Sequence, residues 1–193
     1  MGEVRADSRR LLRFKGTKAC ATWRASATIR RVNFRDKIIP WDQLTSWRAR
    51  LREAGKRLVV TNGCFDLLHP GHVIYLEAAR DLGDALLVGV NGDDSVRKLK
   101  GDGRPVNAEA DRALVLAGLQ SVDAACIFGD KTATRFLTAA QPDIYVKGGD
   151  YTLDTMNQEE RQAAEQCGAR IVLLPFVPGK STSALLKTIS ERS

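Results

Sequence analysis

Five short apolar runs, each followed by a segment of helical spacing, constrain the fold of this chain more than any other feature. The runs occupy 56–62, 85–90, 124–128, 143–147 and 170–174, and they are dense in Val, Ile, Leu and Ala. Short apolar stretches of this kind suit strands buried on both faces, as in a parallel sheet. The segments that follow, at 70–82, 107–119, 132–140, 154–167 and 181–189, repeat apolar residues at helical intervals. Strand–helix alternation predicts right-handed crossovers and a Rossmann-like, doubly wound α/β domain built on a parallel five-stranded sheet. In such a sheet ligands sit beyond the strand C-termini, at the switch point. A further helix is expected upstream, where Leu44, Trp47, Arg48 and Leu51 follow Ile38-Ile39-Pro40 and precede Gly55. Its place is over the sheet edge or against another subunit. Asn107 is the expected N-cap of the 107–119 helix, with Glu109 and Asp111 in its first turn.

At 193 residues the chain favours one domain with a real core. Its net charge of +7 resides wholly in residues 1–31, which hold nine Lys/Arg against Glu3 and Asp7. The remainder balances 21 basic residues with 21 acidic ones. A basic pI ordinarily raises nucleic acid as a partner; here the charge belongs to an N-terminal segment and leaves the domain neutral. Residues 1–35 are Arg-rich and acid-poor, a composition shared by transit peptides, nucleic-acid-binding arms and inert extensions. The reading adopted is a mobile extension with no catalytic role, with the domain proper at 36–193. Cys20, Cys64, Cys126 and Cys167 are widely spaced, which argues for neither a zinc site nor a disulfide framework. Cys126 and Cys167 read as packing thiols. No apolar run approaches the roughly 20 residues that span a bilayer. A reduced, cytoplasmic setting with no membrane and no nucleic-acid partner is expected.

The chemistry concentrates at 58–76. Leu58-Val59-Val60 is a strand, Thr61-Asn62-Gly63 punctuates it, and Pro70 opens a helix, where its missing N–H is no loss. His69 and His72 flank that helix start and are the only histidines in the chain. A helix N-terminus favours anions such as phosphate, and two imidazoles three residues apart add hydrogen bonds to the same anion. Two other readings stay open, satisfied helix-start histidines and a metal site shared with Cys64. Zinc wants three or four ligands, and no third histidine exists. Cys64 as a nucleophile lacks a free histidine to act as its base. Phe65 reads as both core and loop, and Asp66 as an acceptor of backbone N–H bonds that holds its turn.

Further along, Lys98 and Lys100 flank Leu99 in the loop after the second run, as phosphate ligands or as a solvated charge run. Gly101 and Gly103 would let that loop close. Arg104 can match phosphate oxygens bidentately. Gly148 and Gly149 end the fourth run, which fits either close backbone approach to a ligand or a tight turn. Ser181-Thr182-Ser183 opens the last helix and offers hydroxyls beside free N–H groups, a second anion site.

These residues carry a resemblance. His69-Pro70-Gly71-His72 resembles the His-x-Gly-His signature of the nucleotidyltransferase superfamily. Gly63-Cys64-Phe65-Asp66 resembles the Gly-x-Phe-Asp that precedes it in the cytidylyltransferase-like branch. Within that branch the chain is most similar to the D-glycero-D-manno-heptose 1-phosphate adenylyltransferases, found as the second domain of bifunctional heptose enzymes or free-standing. Supporting blocks are Thr61 to Asp66, Leu99-Lys100-Gly101, Arg104-Pro105-Val106-Asn107, Val146 to Tyr151 and Gly179 to Ser183, within a span from about Asp36 to Ile189.

The resemblance implies adenylyl transfer from ATP to the sugar 1-phosphate, yielding ADP-heptose and pyrophosphate, with Mg²⁺ held mainly by the ATP phosphates. It implies that His69, His72 and Lys100 are catalytic. Cys64, Phe65, Gly71, Gly148, Ser181, Thr182 and Ser183 would meet the nucleotide. Arg104, Gly149 and Asp150 would meet the sugar phosphate, and no protein residue would ligate metal. It also implies a homodimer, and a separate heptose kinase and phosphatase acting alongside. Phe176, where several relatives place arginine, and the segment 154–159 depart from the pattern and bear on the acceptor.

Rival readings follow from the same residues. One is a cytidylyltransferase acting on glycerol 3-phosphate or another small phosphate. A nicotinamide dehydrogenase lacks support because the first strand–helix turn has no Gly-x-Gly-x-x-Gly. A basic-tailed nucleic-acid-binding protein would have to rely on residues 1–31.

Overall fold

Alternate residues of the first apolar run face opposite ways: Leu58 and Val60 enter one core, Val59 the other. This two-faced burial repeats across five strands, β1 (Leu58–Gly63), β2 (Ala85–Asn91), β3 (Ala124–Phe128), β4 (Ile144–Gly148) and β5 (Arg170–Leu174). All four pairings are parallel, in the order β3-β2-β1-β4-β5. The computed structural model describes residues 33–149 and 151–175, and beyond them Gly179, Thr182, Leu185, Leu186, Thr188 and Glu191. Residues 1–32, Asp150, Lys180, Ser181 and Ser183 therefore lie outside the described residues, as does Phe176.

Among the described residues there are six α-helices, α1 (Leu44–Glu53), α2 (Pro70–Arg80), α3 (Asp93–Lys100), α4 (Glu109–Ala117), α5 (Thr134–Ala140) and α6 (Gln158–Gln166), and all but α3 cover the two faces. Helices α2 and α4 bring Leu76, Ala79, Ala113 and Leu116 to Val59, Leu86 and Val88. On the opposite face α1, α5 and α6 bring Leu44, Phe136, Leu137 and Ala164 to Val60, Leu87 and Tyr145. Phe136 packs so closely on the sheet that a Cβ at Gly89 would lie 2.4 Å from its ring, which explains a glycine inside a central strand. Cys126 is fully buried and burial pushes its thiol up to about 12, as befits a packing residue.

The doubly wound parallel sheet is as expected, and β3 and β5 match their apolar runs residue for residue. Three expectations are corrected. The loop expected after the second run to hold Lys98 and Lys100 is instead α3, residues 93–100, so Lys100 ends a helix. Glu109, sixteen residues away, accepts the Asp93 N–H at 2.7 Å and so satisfies the start of α3 from outside. Asn107 is not the cap of α4, since Ala108 holds that position and the Asn107 amide donates instead to the Asp66 carbonyl at 2.8 Å. Helix α6 begins at Gln158 and not at 154, because Thr152 and Thr155 close a turn and Asn157 accepts the Glu160 N–H at 3.0 Å. The lead-in segment extends the sheet edge, with Ile39 donating to the Ala125 carbonyl at 2.8 Å, while α1 lies against α5.

The end of the sheet opposite the strand C-termini is held by aspartates. Asp143 accepts the Leu58 N–H at 2.6 Å and pairs with the buried Arg48 at 2.9 Å. Asp123 does the same for the Leu86 N–H at 2.8 Å and Arg80 at 2.6 Å. Asp143→Ala would leave the buried Arg48 guanidinium and the Leu58 N–H without this acceptor, and because the carboxylate itself is 39% exposed the cost is that of an unpaired polar group, about 1–3 kcal/mol. We expect that loss in a urea titration with no change in ligand affinity, because the substitution lies at the far end of the sheet; weakened ligand binding would show that the two ends are coupled.

Candidate active site

The chain runs outward from β1 through β2 to β3 and then returns to place β4 on the other side of β1. Beyond the strand C-termini at this reversal lies a cleft of about 650 Å³. Its walls come from the β1–α2 turn, the end of α3, the loop after β3, and the ends of β4 and β5.

On the α2 side the two histidines meet. His69 precedes the first turn in extended conformation, and its ring stacks on that of His72 with centroids 3.9 Å apart. Phe65 buttresses His72 at 5.4 Å between centroids and is itself core. It adopts a left-handed φ of +47°, rare for a bulky residue, and its ring closes over Gly63, where a Cβ would lie 3.1 Å away. Burial, and then the neighbouring His69, lower His72 from its ordinary value to about 4. At neutral pH its imidazole is uncharged. Burial raises the Cys64 thiol above its usual range against the pull of Lys100 and Arg112, which leaves it a thiol and not a nucleophile.

Asp66 does accept backbone N–H bonds, though not from its own turn. It takes those of Val106 and Asn107 at 2.8 and 3.0 Å, some forty residues on. The same buried carboxylate holds Arg104 through Nε at 2.6 Å, fixing that guanidinium at the cleft wall. Lys100 reaches the cleft from the C-terminal end of α3. Gly71, Gly148, Gly149 and Thr182 also line it. The close approach expected at Gly148 is met by a side chain: a Cβ there would lie 2.5 Å from the Tyr75 ring. Gly149 takes φ +130°. Thr182 donates its hydroxyl to the Leu67 carbonyl at 3.2 Å and ties the last segment to the β1–α2 turn.

Two groups escaped the sequence reading. Arg112 is fully buried and donates to the carbonyls of Asn107, Cys64 and Asn91 and to the Asp93 carboxylate at 2.8 Å. Its place inside the 107–119 segment gives no sign of this, and only the fold brings its acceptors together. Across the cleft, on the α6 side, Lys147 lies 2.9 Å from Asn62 Oδ1 and 2.7 Å from Glu160 Oε2. The Tyr145 hydroxyl sits 2.8 Å from the same amide oxygen and 2.9 Å from the same carboxylate. Burial alone would raise Glu160, but Lys147, the Ala133 N–H at 2.9 Å and Tyr145 outweigh it and hold the carboxyl below its ordinary value. Tyr145 is pushed upward by burial and by Glu160, so it stays a neutral donor. Among the described residues no group of three or more His, Cys, Asp or Glu is arranged to hold a metal.

With this geometry in place, the comparisons with known proteins agree on one group. A protein called bifunctional protein HldE from Methylobacillus flagellatus is 46% identical over 156 residues, covering 81% of this chain and 32% of the relative. One of the same name from Methylococcus capsulatus is 52% identical over 139 residues, covering 72% and 29%. The chain thus spans about a third of the length of the curated relatives it matches. Among solved structures, the lipopolysaccharide core biosynthesis protein of Thermoplasma volcanium superposes with a TM-score of 0.53 at 27% identity, covering 64% of this chain and 98% of that one. Pantoate-beta-alanine ligase from Francisella tularensis, at 14% identity and a TM-score of 0.51, shares the fold alone. The cytidylyltransferase-like family model matches residues 60–186, from β1 past Thr182, and the chain belongs to that family of nucleotidyltransferases.

Proposed function

We propose that the chain transfers an adenylyl group from ATP to D-glycero-D-manno-heptose 1-phosphate, giving ADP-heptose and pyrophosphate. The observation that supports this reading is the stacked His69–His72 pair at the start of α2, in one cleft with Lys100 and Arg104. The similarity to the HldE proteins, at 46–52% identity, favours the heptose acceptor over glycerol 3-phosphate. The reaction makes one P–O bond and breaks another: a phosphate oxygen of the sugar attacks the α-phosphorus as the bond to pyrophosphate opens. No covalent enzyme intermediate is needed, so positioning and charge stabilisation carry the catalysis.

His69 and His72 donate hydrogen bonds to the phosphates, His72 as a neutral imidazole. Positive charge then comes from Lys100 and Arg104, with Lys131 also at the cleft. The second of these is preset by Asp66, which occupies Nε and leaves the two terminal nitrogens for a phosphate. Cys64, Phe65, Gly71, Gly148 and Thr182 form the nucleotide wall, and Gly149 lies by the sugar phosphate; Ser181, Ser183 and Asp150 complete these sets in the same proposal. Mg²⁺ brought with ATP would be held mainly by the substrate's phosphates and would supply charge neutralisation for the leaving pyrophosphate. The protein's own donors are cations and N–H groups, which suits a metal carried by its substrate. No described helix is long and apolar enough to cross a membrane. A cytoplasmic setting, a second copy of the chain, and a separate kinase and phosphatase belong to the proposal, as does a non-catalytic role for residues 1–35.

The test is pyrophosphate release with Mg²⁺ and heptose 1-phosphate, offering ATP and CTP in parallel. Release with ATP alone is expected, and release with CTP alone would replace the donor. His72→Ala should lower release about 100-fold or more, the scale for one lost transition-state donor, while the melting temperature stays close to that of the wild type. Near-normal turnover would remove His72 from the mechanism.

The state of His72 also makes a stability prediction. Its folded value of about 4 lies below the ordinary 6.5, so between these pH values the unfolded chain binds the extra proton. This contribution is complete above about pH 6.5 and is lost as pH falls toward 4. Urea midpoints measured across that window should fall less steeply with acid for His72→Asn than for the wild type; equal slopes would mean the imidazole is not held neutral by the fold.

A further inference from the structure

The cleft has two unlike sides. Val146 belongs to the core under α2, whereas Tyr145 belongs to the core under α5 and α6, so Lys147 rises on the α6 side. Asn62 does the same, two residues after Val60. The α2 side carries the histidines, Arg104 and the end of α3. At the floor of the α6 side the charges are matched, since Lys147 and Glu160 are 14% and 8% exposed and lie 2.7 Å apart, while the exposed Lys131 lines the cleft from the loop after β3. Tyr145 adds no charge. A phosphate gains little from a cation so closely paired and meets a carboxylate beside it.

What this side offers instead is a mixture of donors and acceptors. Lys147 has three N–H groups, of which Asn62 and Glu160 take two. The Asn62 amide oxygen faces Lys147 and Tyr145, which orients its NH₂ away from them and leaves two further donors with no partner among the described residues. Glu160 accepts from Ala133, Lys147 and Tyr145, three of about four lone-pair positions on a carboxylate. Asn62, Lys147 and Glu160 all line the cleft. Adjacent hydroxyls on a sugar ring each donate once and accept, and they answer such a set of spare donors beside a spare acceptor. An ion pair at a cleft floor is seldom needed for stability, since a packed apolar pair of like volume often serves as well.

We propose that Asn62, Lys147 and Glu160 form a hydroxyl-reading floor, a subsite that binds a vicinal diol of a substrate sugar ring and so determines specificity. The inference rests on the nucleotidyl-transfer reading above for the identity of its ligands. Two rings present such a diol, the heptose of the acceptor and the ribose of ATP. Both meet the same chemistry, and the experiment separates them.

Dissociation constants would be measured by calorimetry for heptose 1-phosphate, ATP, 2′-deoxy-ATP and inorganic pyrophosphate, on the wild-type chain and on the double variant Lys147→Met/Glu160→Gln. This variant removes both charges together and strands neither. At least a ten-fold weakening of one sugar-bearing ligand is expected, with pyrophosphate affinity unchanged. Weakened heptose 1-phosphate binding assigns the floor to the acceptor. Loss of the preference for ATP over 2′-deoxy-ATP assigns it to the ribose. Asn62→Ala, which leaves the ion pair whole, should weaken the same ligand several-fold and keeps the test decisive should the double variant unfold. Unchanged affinity for every sugar-bearing ligand, or an equal loss for pyrophosphate, would overturn the site. Pyrophosphate release by the wild type is scored separately: its absence with sugar binding intact removes the reaction and leaves the subsite standing.

Discussion

A guanidinium buried without exposure has to find acceptors for its N–H groups, because each one left unpaired away from water costs about 1–3 kcal/mol or more. Arg112 meets this demand by gathering four acceptors that no local sequence rule brings together: Cys64 after β1, Asn91 at the end of β2, Asp93 at the start of α3 and Asn107 ahead of α4. The Asp93 carboxylate, 2.8 Å away, supplies the counter-charge that makes burial tolerable. Through these bonds one side chain sets the loop that carries Cys64 and Phe65, the first turn of the helix that ends in Lys100, and the segment that Asp66 also grips. Parallel strands deliver their C-termini to one end of the sheet, but they do not by themselves fix the loops there. Arg112 and Asp66 do so from behind the cleft wall.

This division explains what the sequence discloses. Strands β3 and β5 match their apolar runs because burial on both faces is a property of the run itself. The His69–His72 pair was legible because a Pro at the first helical position and two histidines three residues apart are local. Helix α3 was not, since Asp93 to Lys100 contains little apolar sequence and its N-terminus is satisfied by Glu109 from the next element. Asn107 has an N-cap's composition, and its amide is diverted to Asp66 by a contact forty-one residues back. Lys147 and Glu160 are thirteen residues apart in sequence, on a strand and a helix, and nothing in either segment names the other as partner.

The glycine pair at the end of β4 shows how a local inference can be met by a neighbour that it does not name. Two glycines at a strand end do signal close approach, and at Gly148 a side chain would collide. The approaching group is the Tyr75 ring, whose hydroxyl lies 2.6 Å from Thr61 Oγ1 and donates to the Val146 carbonyl at 3.1 Å. Tyr75 thus fastens α2 to both central strands at the switch point. Its bulk requires the missing Cβ, so Gly148 serves the cleft by allowing α2 and its histidines to sit where they do.

The same economy governs charge across the cleft. A nucleotide triphosphate needs positive potential on one side only, and a uniformly basic cleft would hold a sugar phosphate and a triphosphate in either orientation. Here the cations on the α2 side answer to little opposing charge in the cleft itself, apart from the Asp66 carboxylate behind Arg104, whereas Lys147 on the α6 side is neutralised at 2.7 Å. His72, held neutral by burial, adds a donor without adding charge. The result is a gradient from a phosphate-attracting wall to a floor where Lys147 and Glu160 cancel, with Lys131 at the cleft on the loop after β3. Such a gradient orients a substrate whose two ends differ in the same way, before any contact specific to the sugar is made.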